Sequence, residues 1–477
     1  MKSLNSFIRY KIAVGLIALS FVSCSKENEN SSENEITVTT ADFSKTMDEN
    51  PANGRVIGTV SGSTNEGTIS FSITEQTPSG AFSIDATSGE LKVADETLFD
   101  FETNPIITGT VKVSNGAVSK NASITINLND TGDIYDGYVH LKTQQEVNDF
   151  GANNYTRITG GLYIGAIEAP DVSDISDLSP LHSLRSIDEY LGITRNPSLT
   201  TTLGLTINSI GTQLAFVEND ALISIVGFDN LTTLTNNLFL FDNPVLTDIS
   251  SLSQLTNING LTLIRCTELE TINWLSNLVD IGNNISITGC HSLTNIDALS
   301  NITSFSAYGN IKIWGNSLLE NLNGLANLNA TVYELSIREN SSLISLNALN
   351  NVDVLHSLTV YQNDLIQNLN GLEKITSLRD GVFIERNNSL IDLQGLNNLK
   401  IVNGVEFRIK DNENLKSLNG LNNLEDIFTL NVTDNLQLSD FCALQNLFSM
   451  DSQNSFHAKR NAFNPTKQDI IDGNCNL

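Results

Sequence analysis

The sequence is short of basic residues, of histidine and of long apolar runs, and each shortage excludes a class of function. Lysine and arginine number 26 against 54 acidic residues, and the net charge of −28 disfavours binding to nucleic acid or anionic lipid. The five histidines are scattered, and the sequence has no nucleophile elbow, phosphate loop or metal-ligand spacing. After the N-terminus no apolar run is long enough to span a membrane. These absences predict a protein that is not an enzyme.

The N-terminus has the pattern of an export signal followed by a lipidation site. A basic start precedes an apolar run over residues 12–22, which is too short for a permanent transmembrane helix. Cys24 follows a serine and resembles the cysteine of a bacterial lipobox, although Phe21 stands where leucine is usual. The resemblance implies a signal peptide over residues 1–23 and an acylated Cys24 that anchors the chain to the outer membrane, exposed at the cell surface. Ordinary secretion with an unmodified Cys24 is the alternative. Residues 24–35 are polar and acidic, as expected of a flexible tether.

A repeated unit dominates the chain from about residue 190 onward. Each unit begins with two apolar residues separated by one residue, as in LSIRENSSL (335–343). An Asn follows three positions after the second apolar residue, and a further apolar residue follows three positions after the Asn. The Asn position recurs every 23 to 26 residues. It falls at Asn196, Asn219, Asn243, Cys266, Cys290, Asn316, Asn340, Asn363, Asn387, Asn412 and Asn435. A register this regular predicts a stack of similar coils.

The alternation predicts one short strand per coil, with one face buried. The Asn lies where the chain turns, and its amide can pair with backbone groups that would otherwise be stranded beside an apolar core. The pattern predicts a leucine-rich parallel β-solenoid over residues 161–441. A linker and N-terminal cap are expected over residues 131–160. A C-terminal cap without the ladder is expected over residues 442–477.

Four cysteines fall within these predicted regions. Cys266 and Cys290 occupy adjacent rungs; a bridge between them is conceivable, but parallel side chains favour two buried thiols. Cys442 and Cys475 bracket the predicted cap, and we expect them to form a disulfide in an oxidising compartment.

The cadence of the repeat resembles the receptor L domain, the leucine-rich parallel β-helix of growth-factor-type receptors, as found in bacterial surface proteins. The resemblance covers about residues 139–441 and begins with LKTQQEVNDFGANNYTRITGGLYI (141–164). It implies the fold but no particular ligand. The repeated region is much longer than a single receptor L domain, so it comprises either several joined domains or one long array.

Residues 36–130 have a different pattern. Short alternating runs such as ISFSI and ITINL, separated by Gly, Asn, Ser and Thr, predict a β-sandwich. The segment resembles a cadherin repeat through DENPANGRVIGTV (48–60) and LFDFETNP (98–105), although Asn115 and Asn127 stand where acidic residues are usual. The resemblance implies possible calcium ligands at Glu49, Asp100, Glu102 and Asp130. Solvated acidic loops are the alternative.

Large apolar side chains recur at outward positions of the predicted solenoid strands. They share one sheet face and are Phe239, Phe241, Ile264, Trp314, Tyr361 and Phe383. Aromatic residues clustered on a rigid face are typical of a binding surface. The alternatives are that loops cover them, or that they are present because aromatic residues favour strands.

Together these features predict a surface-anchored adhesion or recognition protein that binds a protein or glycan on its solenoid face. It would contact the membrane through its lipid anchor alone and need no cofactor other than possible calcium. The alternative is calcium-dependent cell adhesion through the cadherin-like segment. A remote alternative is a polysaccharide-cleaving enzyme, because Asp411 and Asp434 share a column on adjacent coils at roughly the spacing of a retaining carboxylate pair.

Overall fold

Alternating apolar residues form strands throughout the chain. The structure, a computed structural model, describes residues 35–101, 103–131, 133–305, 308–450 and 454–477. The chain divides into two compact units, Met1–Thr131 and Gly132–Leu477. The predicted signal peptide, Cys24 and Glu102 lie outside the described residues, so the expectations about them stay predictions. No helix in the described ranges is long and apolar enough to cross a membrane.

Short strands with one apolar face build the first unit. They are β1 (Val38–Thr40), β2 (Phe43–Asp48), β3 (Val56–Thr59), β4 (Gly62–Thr64), β5 (Ser70–Thr77), β6 (Phe82–Ile84), β7 (Glu90–Val93), β8 (Ile106–Ser114) and β9 (Ser119–Asn129). One sheet has the order β2-β9-β8-β5 and a second has the order β3-β7-β6, while β1 pairs with β4. Side chains from both larger sheets, such as Ile107, Ile126 and Phe82, are buried in one common core. The unit is therefore a β-sandwich, as the alternating runs predict.

The second unit is a parallel β-solenoid. Its strands are β10 (Asp133–Tyr135), β11 (Val139–Leu141), β12 (Tyr155–Ile158), β13 (Leu162–Gly165), β14 (Ser186–Ile187), β15 (Leu191–Thr194), β16 (Ser209–Ile210), β17 (Leu214–Val217), β18 (Asn237–Phe241), β19 (Asn257–Ile264), β20 (Asp280–Thr288), β21 (Gly309–Trp314), β22 (Thr331–Arg338), β23 (Val354–Tyr361), β24 (Ser377–Leu378), β25 (Val382–Glu385), β26 (Ile401–Val402), β27 (Phe407–Lys410), β28 (Asp426–Ile427), β29 (Thr429–Thr433) and β30 (Ser455–Lys459). Fourteen of them form one sheet, here called the main sheet, in the order β11-β13-β15-β17-β18-β19-β20-β21-β22-β23-β25-β27-β29-β30. The short strands β10-β12-β14-β16 and β24-β26-β28 form two smaller parallel sheets. This architecture confirms the predicted fold class.

Short helical segments complete the coils and their two ends. The α-helices are α1 (Gln144–Gly151), α2 (Gln445–Ser449) and α3 (Lys467–Ile471). The 3-10 turns of the second unit are Ser179–Leu181, Ser250–Leu252, Asn273–Leu275, Asp297–Asn301, Asn323–Leu325, Asn347–Leu349 and Cys442–Leu444, while Glu96–Leu98 lies in the first unit. Side-chain caps fix two of the α-helices, since Thr143 accepts from the backbone N–H of Glu146 and Thr466 accepts from that of Asp469.

Leucine and isoleucine side chains fill the inside of each coil. In the coil that contains β22 the fully buried side chains include Leu335, Ile337, Leu343, Leu346 and Leu349. Burial of one such side chain contributes about 1.5–3 kcal/mol. A single coil leaves its upper and lower surfaces open, so the stack is stable only as a whole.

The stack is longer at both ends than the sequence pattern predicts. Strand β11 already pairs with β13 before the predicted start at residue 161, and β30 pairs with β29 beyond the predicted end at residue 441. The prediction that the last segment lacks the ladder is wrong, because Asn461 accepts hydrogen bonds from the backbone N–H and the side chain of Asn435. The inward residues of β30, Phe456 and Ala458, are only partly buried, and Asn464 stands where other units have an apolar residue, which weakens the sequence signal.

The four described cysteines take two different roles. Cys442 and Cys475 form a disulfide with their Cα atoms 4.8 Å apart. Cys266 and Cys290 are free and fully buried in the ladder. A hydrogen bond to Cys290, together with burial, raises the pKa of the Cys266 thiol, so this thiol keeps its proton at neutral pH.

Candidate functional site

The candidate site is the outward face of the main sheet, which the alternation of each strand creates. In β18, Leu238 and Leu240 are fully buried in the core, while Phe239 and Phe241 between and after them face outward. Parallel register repeats these outward positions from strand to strand at about 4.8 Å. All six predicted residues of the ligand face are half-buried on this side: Phe239, Phe241, Ile264, Trp314, Tyr361 and Phe383.

The structure brings three of these six residues into one cluster. The rings of Phe239 and Phe241 stack with centroids 6.0 Å apart, and Ile264 pairs with Phe241 in the register of β18 and β19. Trp314 lies two strands beyond Ile264, and the remaining two rings follow on β23 and β25. The predicted face is therefore one apolar cluster followed by separate rings spread along the sheet.

Cationic side chains cover part of the aromatic rings on this face. The contacts are Arg265 over Phe241 at 4.5 Å, Arg338 over Trp314 at 4.7 Å, Arg408 over Phe383 at 5.4 Å and Arg386 over Tyr361 at 5.7 Å from the ring centroid. Such contacts contribute about 0.5–1 kcal/mol at exposed sites. The aromatic rings are therefore less exposed than the sequence pattern predicts. A ligand that packs on them would either displace the arginine side chains or contact them as well.

In the C-terminal half of the face the polar groups bond to one another. The indole N–H of Trp314 donates to the hydroxyl of Ser336 at 3.0 Å. Glu406 accepts from both Arg408 and Asn431. Burial works to raise the pKa of Glu406, but these hydrogen bonds outweigh it and the pKa lies below its ordinary value. This half of the face is preorganised by its own contacts.

Some outward positions are buried, contrary to the expectation that outward columns face solvent. Ser336 is fully buried, and Thr262 and Thr359 are nearly so. The reason is their small size beside long neighbours, since Trp314 and Arg338 both bond to the Ser336 hydroxyl and lie across it.

Three tyrosines that the sequence pattern does not predict lie at the N-terminal end of the same face. Tyr163 lies in register with Gly192, and the Tyr163 and Tyr190 ring centroids are 4.7 Å apart. Tyr138 stacks on Tyr190 at 6.2 Å and donates a hydrogen bond to Glu189. Partial burial and the neighbouring tyrosines raise the pKa of Tyr190. The signal for Tyr163 was present, because it holds the outward position in the partial repeat GLYIGAI (161–167).

A notch lies beside these tyrosines. We define it by Tyr163, Tyr190, Gly192, Thr212, Gln213, Ala215 and Asn236, which enclose about 170 Å³ together with Leu191. The sheet forms the bottom of the notch, and this bottom is recessed because two small residues, Gly192 and Ala215, are in register at outward positions of neighbouring strands. Phe239 holds the next position in that column. The notch thus separates the tyrosines from the Phe239–Phe241 cluster.

The described carboxylates of the predicted calcium site already have structural roles. Glu49 is only 5 % exposed and accepts from the backbone N–H groups of Phe101 and Thr131. Asp100 accepts from the backbone and hydroxyl of Thr103, and Asp130 is exposed. No group of three or more His, Cys, Asp or Glu side chains in the described ranges is placed to hold a metal. Glu102 lies outside the described residues, so the predicted set of four calcium ligands stays a prediction.

Both carboxylates of the acidic pair, on which the remote enzymatic alternative depends, form ion pairs with basic side chains. Asp411 lies 3.7 Å from Arg386 and 3.6 Å from Lys410, and Asp434 pairs with Arg460. The hydrogen bond from Arg460 lowers the pKa of Asp434. A retaining glycosidase needs one carboxyl group with a raised pKa as its general acid, so this geometry does not favour catalysis.

Comparisons with known proteins give distant structural likenesses. No protein-family model matches the chain, and no curated protein matches it. Among solved structures, the chain is similar to an internalin from Listeria monocytogenes with 20% identity and a TM-score of 0.35, over 67% of this chain and 76% of that chain. It is similar to N-cadherin EC1-4 from Drosophila with 22% identity and a TM-score of 0.18, over 22% of this chain and 28% of that chain. Protocadherin Gamma B2 cadherin domains 3-6 match with 22% identity and a TM-score of 0.19, over 20% of this chain and 23% of that chain. The match spans less than a third of these cadherin chains, so the function is inferred below from the chain's own residues.

Proposed function

We propose that this chain is a non-catalytic binding protein that takes a protein or glycan ligand on the outward face of its main sheet. The observation that carries the proposal is the register of aromatic and apolar side chains on this face. Phe239, Phe241 and Ile264 form a half-exposed cluster, and a continuous hydrogen-bonded sheet holds them in place. A rigid apolar cluster with a polar surround has the anatomy of a binding hot spot.

Several properties of the sheet support this function. The side chains are carried on strands whose other face is fully buried, so binding would cost little ordering entropy. Arginines lie above several of the rings, and arginine is enriched at binding hot spots. Surface anchoring through Cys24 is a prediction from the sequence alone, and the binding proposal does not depend on it.

The test is a double substitution of Phe241→Ala and Trp314→Ala in the full chain. Both variants remove a ring from the outward face without opening the core, so we expect the fold to be retained and ligand affinity to fall at least about tenfold. Binding is measured on a glycan array and an array of purified extracellular proteins. The matched control is Ile344→Ala, which removes an apolar side chain that is 59% exposed away from the main sheet. Ligand capture that survives the double substitution would discard the part of the main-sheet face that carries Phe241 and Trp314 as the binding surface.

A further inference from the structure

The notch and the C-terminal half of the main-sheet face differ in whether their polar side chains have partners. In the C-terminal half, Trp314, Glu406 and Arg408 all hydrogen-bond within the face. In the notch, the hydroxyl of Thr212 and the amides of Gln213 and Asn236 make no hydrogen bond to any described residue. The notch is therefore a part of the face where donors and acceptors remain open to a ligand.

The shape of the notch is set by small residues. A Cβ atom at position 192 would lie 2.8 Å from carbons of the Tyr163 ring, so glycine at this position lets the ring lie flat on the sheet. Ala215 forms the next floor position, and Phe239 follows it in register. Tyr163 and Phe239 are three strands apart, which separates their Cα atoms by about 14 Å. The result is a shallow space of about 170 Å³ beside an aromatic ring.

The chemistry of the lining selects the class of ligand. Every residue that lines the notch is uncharged, although the chain as a whole carries a net charge of −28. A charged ligand would find no counter-charge among these residues. A purely apolar ligand would desolvate the hydroxyl and the two amides without replacing their hydrogen bonds, at a cost of about 1–3 kcal/mol for each group. A ligand with one apolar face and several hydroxyl groups meets both requirements.

We propose that the notch binds one neutral sugar ring of a glycan. The C–H face of the ring would pack on Tyr163, and its hydroxyl groups would bond to the amides of Gln213 and Asn236. This inference rests on the proposed function and names the ligand class for that face. It also places the binding centre at the N-terminal end of the sheet, away from Trp314.

The experiment compares variants of the full chain by isothermal titration with short neutral oligosaccharides of glucose, galactose, mannose and xylose. The variant Ala215→Leu fills the floor of the notch. It should fold, because Phe239 and Lys312 occupy the same outward column in other coils. A second variant, Gln213→Ala with Asn236→Ala, removes the amides but leaves the shape. Ile344→Ala, which lies away from the main sheet, is the matched control. Thermal melting of each variant verifies that it is folded.

We expect at least one neutral oligosaccharide to bind the unmodified chain and its affinity to fall about tenfold in both notch variants. Ile344→Ala should bind within about twofold of the unmodified chain. The proposal is overturned if no neutral oligosaccharide binds, or if Ala215→Leu leaves the affinity unchanged. A protein ligand that is lost with Phe241→Ala and Trp314→Ala but kept with Ala215→Leu would preserve the proposed function and overturn the sugar site.

Discussion

A single buried asparagine connects three successive coils of the solenoid. The side-chain N–H₂ of Asn340 donates to the carbonyl of Ile313 at 2.8 Å and to the Oδ1 of Asn363 at 3.2 Å. Its own Oδ1 accepts from the backbone N–H of Asn316 at 3.1 Å. Each amide thus satisfies backbone groups that lie beside the apolar core and out of reach of water. The ladder is a structural device, and it gives the binding face its rigidity.

The first prediction concerns this ladder. Asn340→Ala leaves the Asn316 N–H buried without its partner and removes the amide donor to the Ile313 carbonyl, and we expect a loss of about 1–3 kcal/mol in the free energy of unfolding. Asn340→Cys should lose less, because a thiol can donate and accept weakly, as Cys290 does with its Sγ 3.8 Å from the carbonyl of Leu263. Urea denaturation followed by circular dichroism measures both changes. Equal stability of Asn340→Ala and the unmodified chain would show that water replaces the amide.

At the same scale the sequence predicts the ladder positions but not the residue before each rung. Arg195, Asp242 and Asp411 have positive φ values of 52°, 54° and 54° and therefore adopt the left-handed conformation. In the sequence, charged residues at these positions look like ordinary solvent-exposed side chains and do not indicate a left-handed backbone conformation. Tyr138 was missed for a similar reason, because its stacking on Tyr190 depends on a strand register that local sequence does not encode.

The coil is the element that the sequence predicts best. Alternation locates the strands, and the repeated Leu spacing locates the inward side chains, because both periods are short and repeat many times. The end coils are harder to predict, since β11 and β30 each pair with only one neighbour in the main sheet. The same loss of neighbours makes the ends the weakest points of the stack.

The second prediction concerns the C-terminal end. The Cys442–Cys475 disulfide closes a segment of 33 residues that includes β30, α2 and α3. Replacing both cysteines by serine should reduce stability by about 3–4 kcal/mol, on the loop-entropy account for a loop of this length. Thermal denaturation with and without reductant measures the effect. Reductant should lower the melting temperature of the unmodified chain and leave that of the double variant unchanged; a reductant response in the variant would point to another disulfide.

At the scale of the whole molecule, the net charge of −28 bears on every experiment with divalent cations. A strongly acidic surface repels itself, so any cation that screens this repulsion stabilises the folded chain without a specific site. A simple rise in melting temperature with calcium is therefore no evidence for calcium-dependent adhesion. The relevant quantity is the difference between calcium and magnesium at equal concentration, because the two ions have equal charge but different coordination requirements.

The third prediction uses that difference. Both carboxylate oxygens of Glu49 accept hydrogen bonds from backbone N–H groups, and the described residues contain no cluster of metal ligands. We therefore expect calcium and magnesium to raise the melting temperature equally. The matched variant is Asp130→Asn, which removes one predicted ligand that is exposed in the structure. Its response to the two ions should equal that of the unmodified chain. A rise specific to calcium below millimolar concentration, and absent in Asp130→Asn, would instead establish a calcium site in the sandwich. Such a result would make calcium-dependent adhesion the better account of this unit, while the evidence for binding on the main sheet would be unaffected.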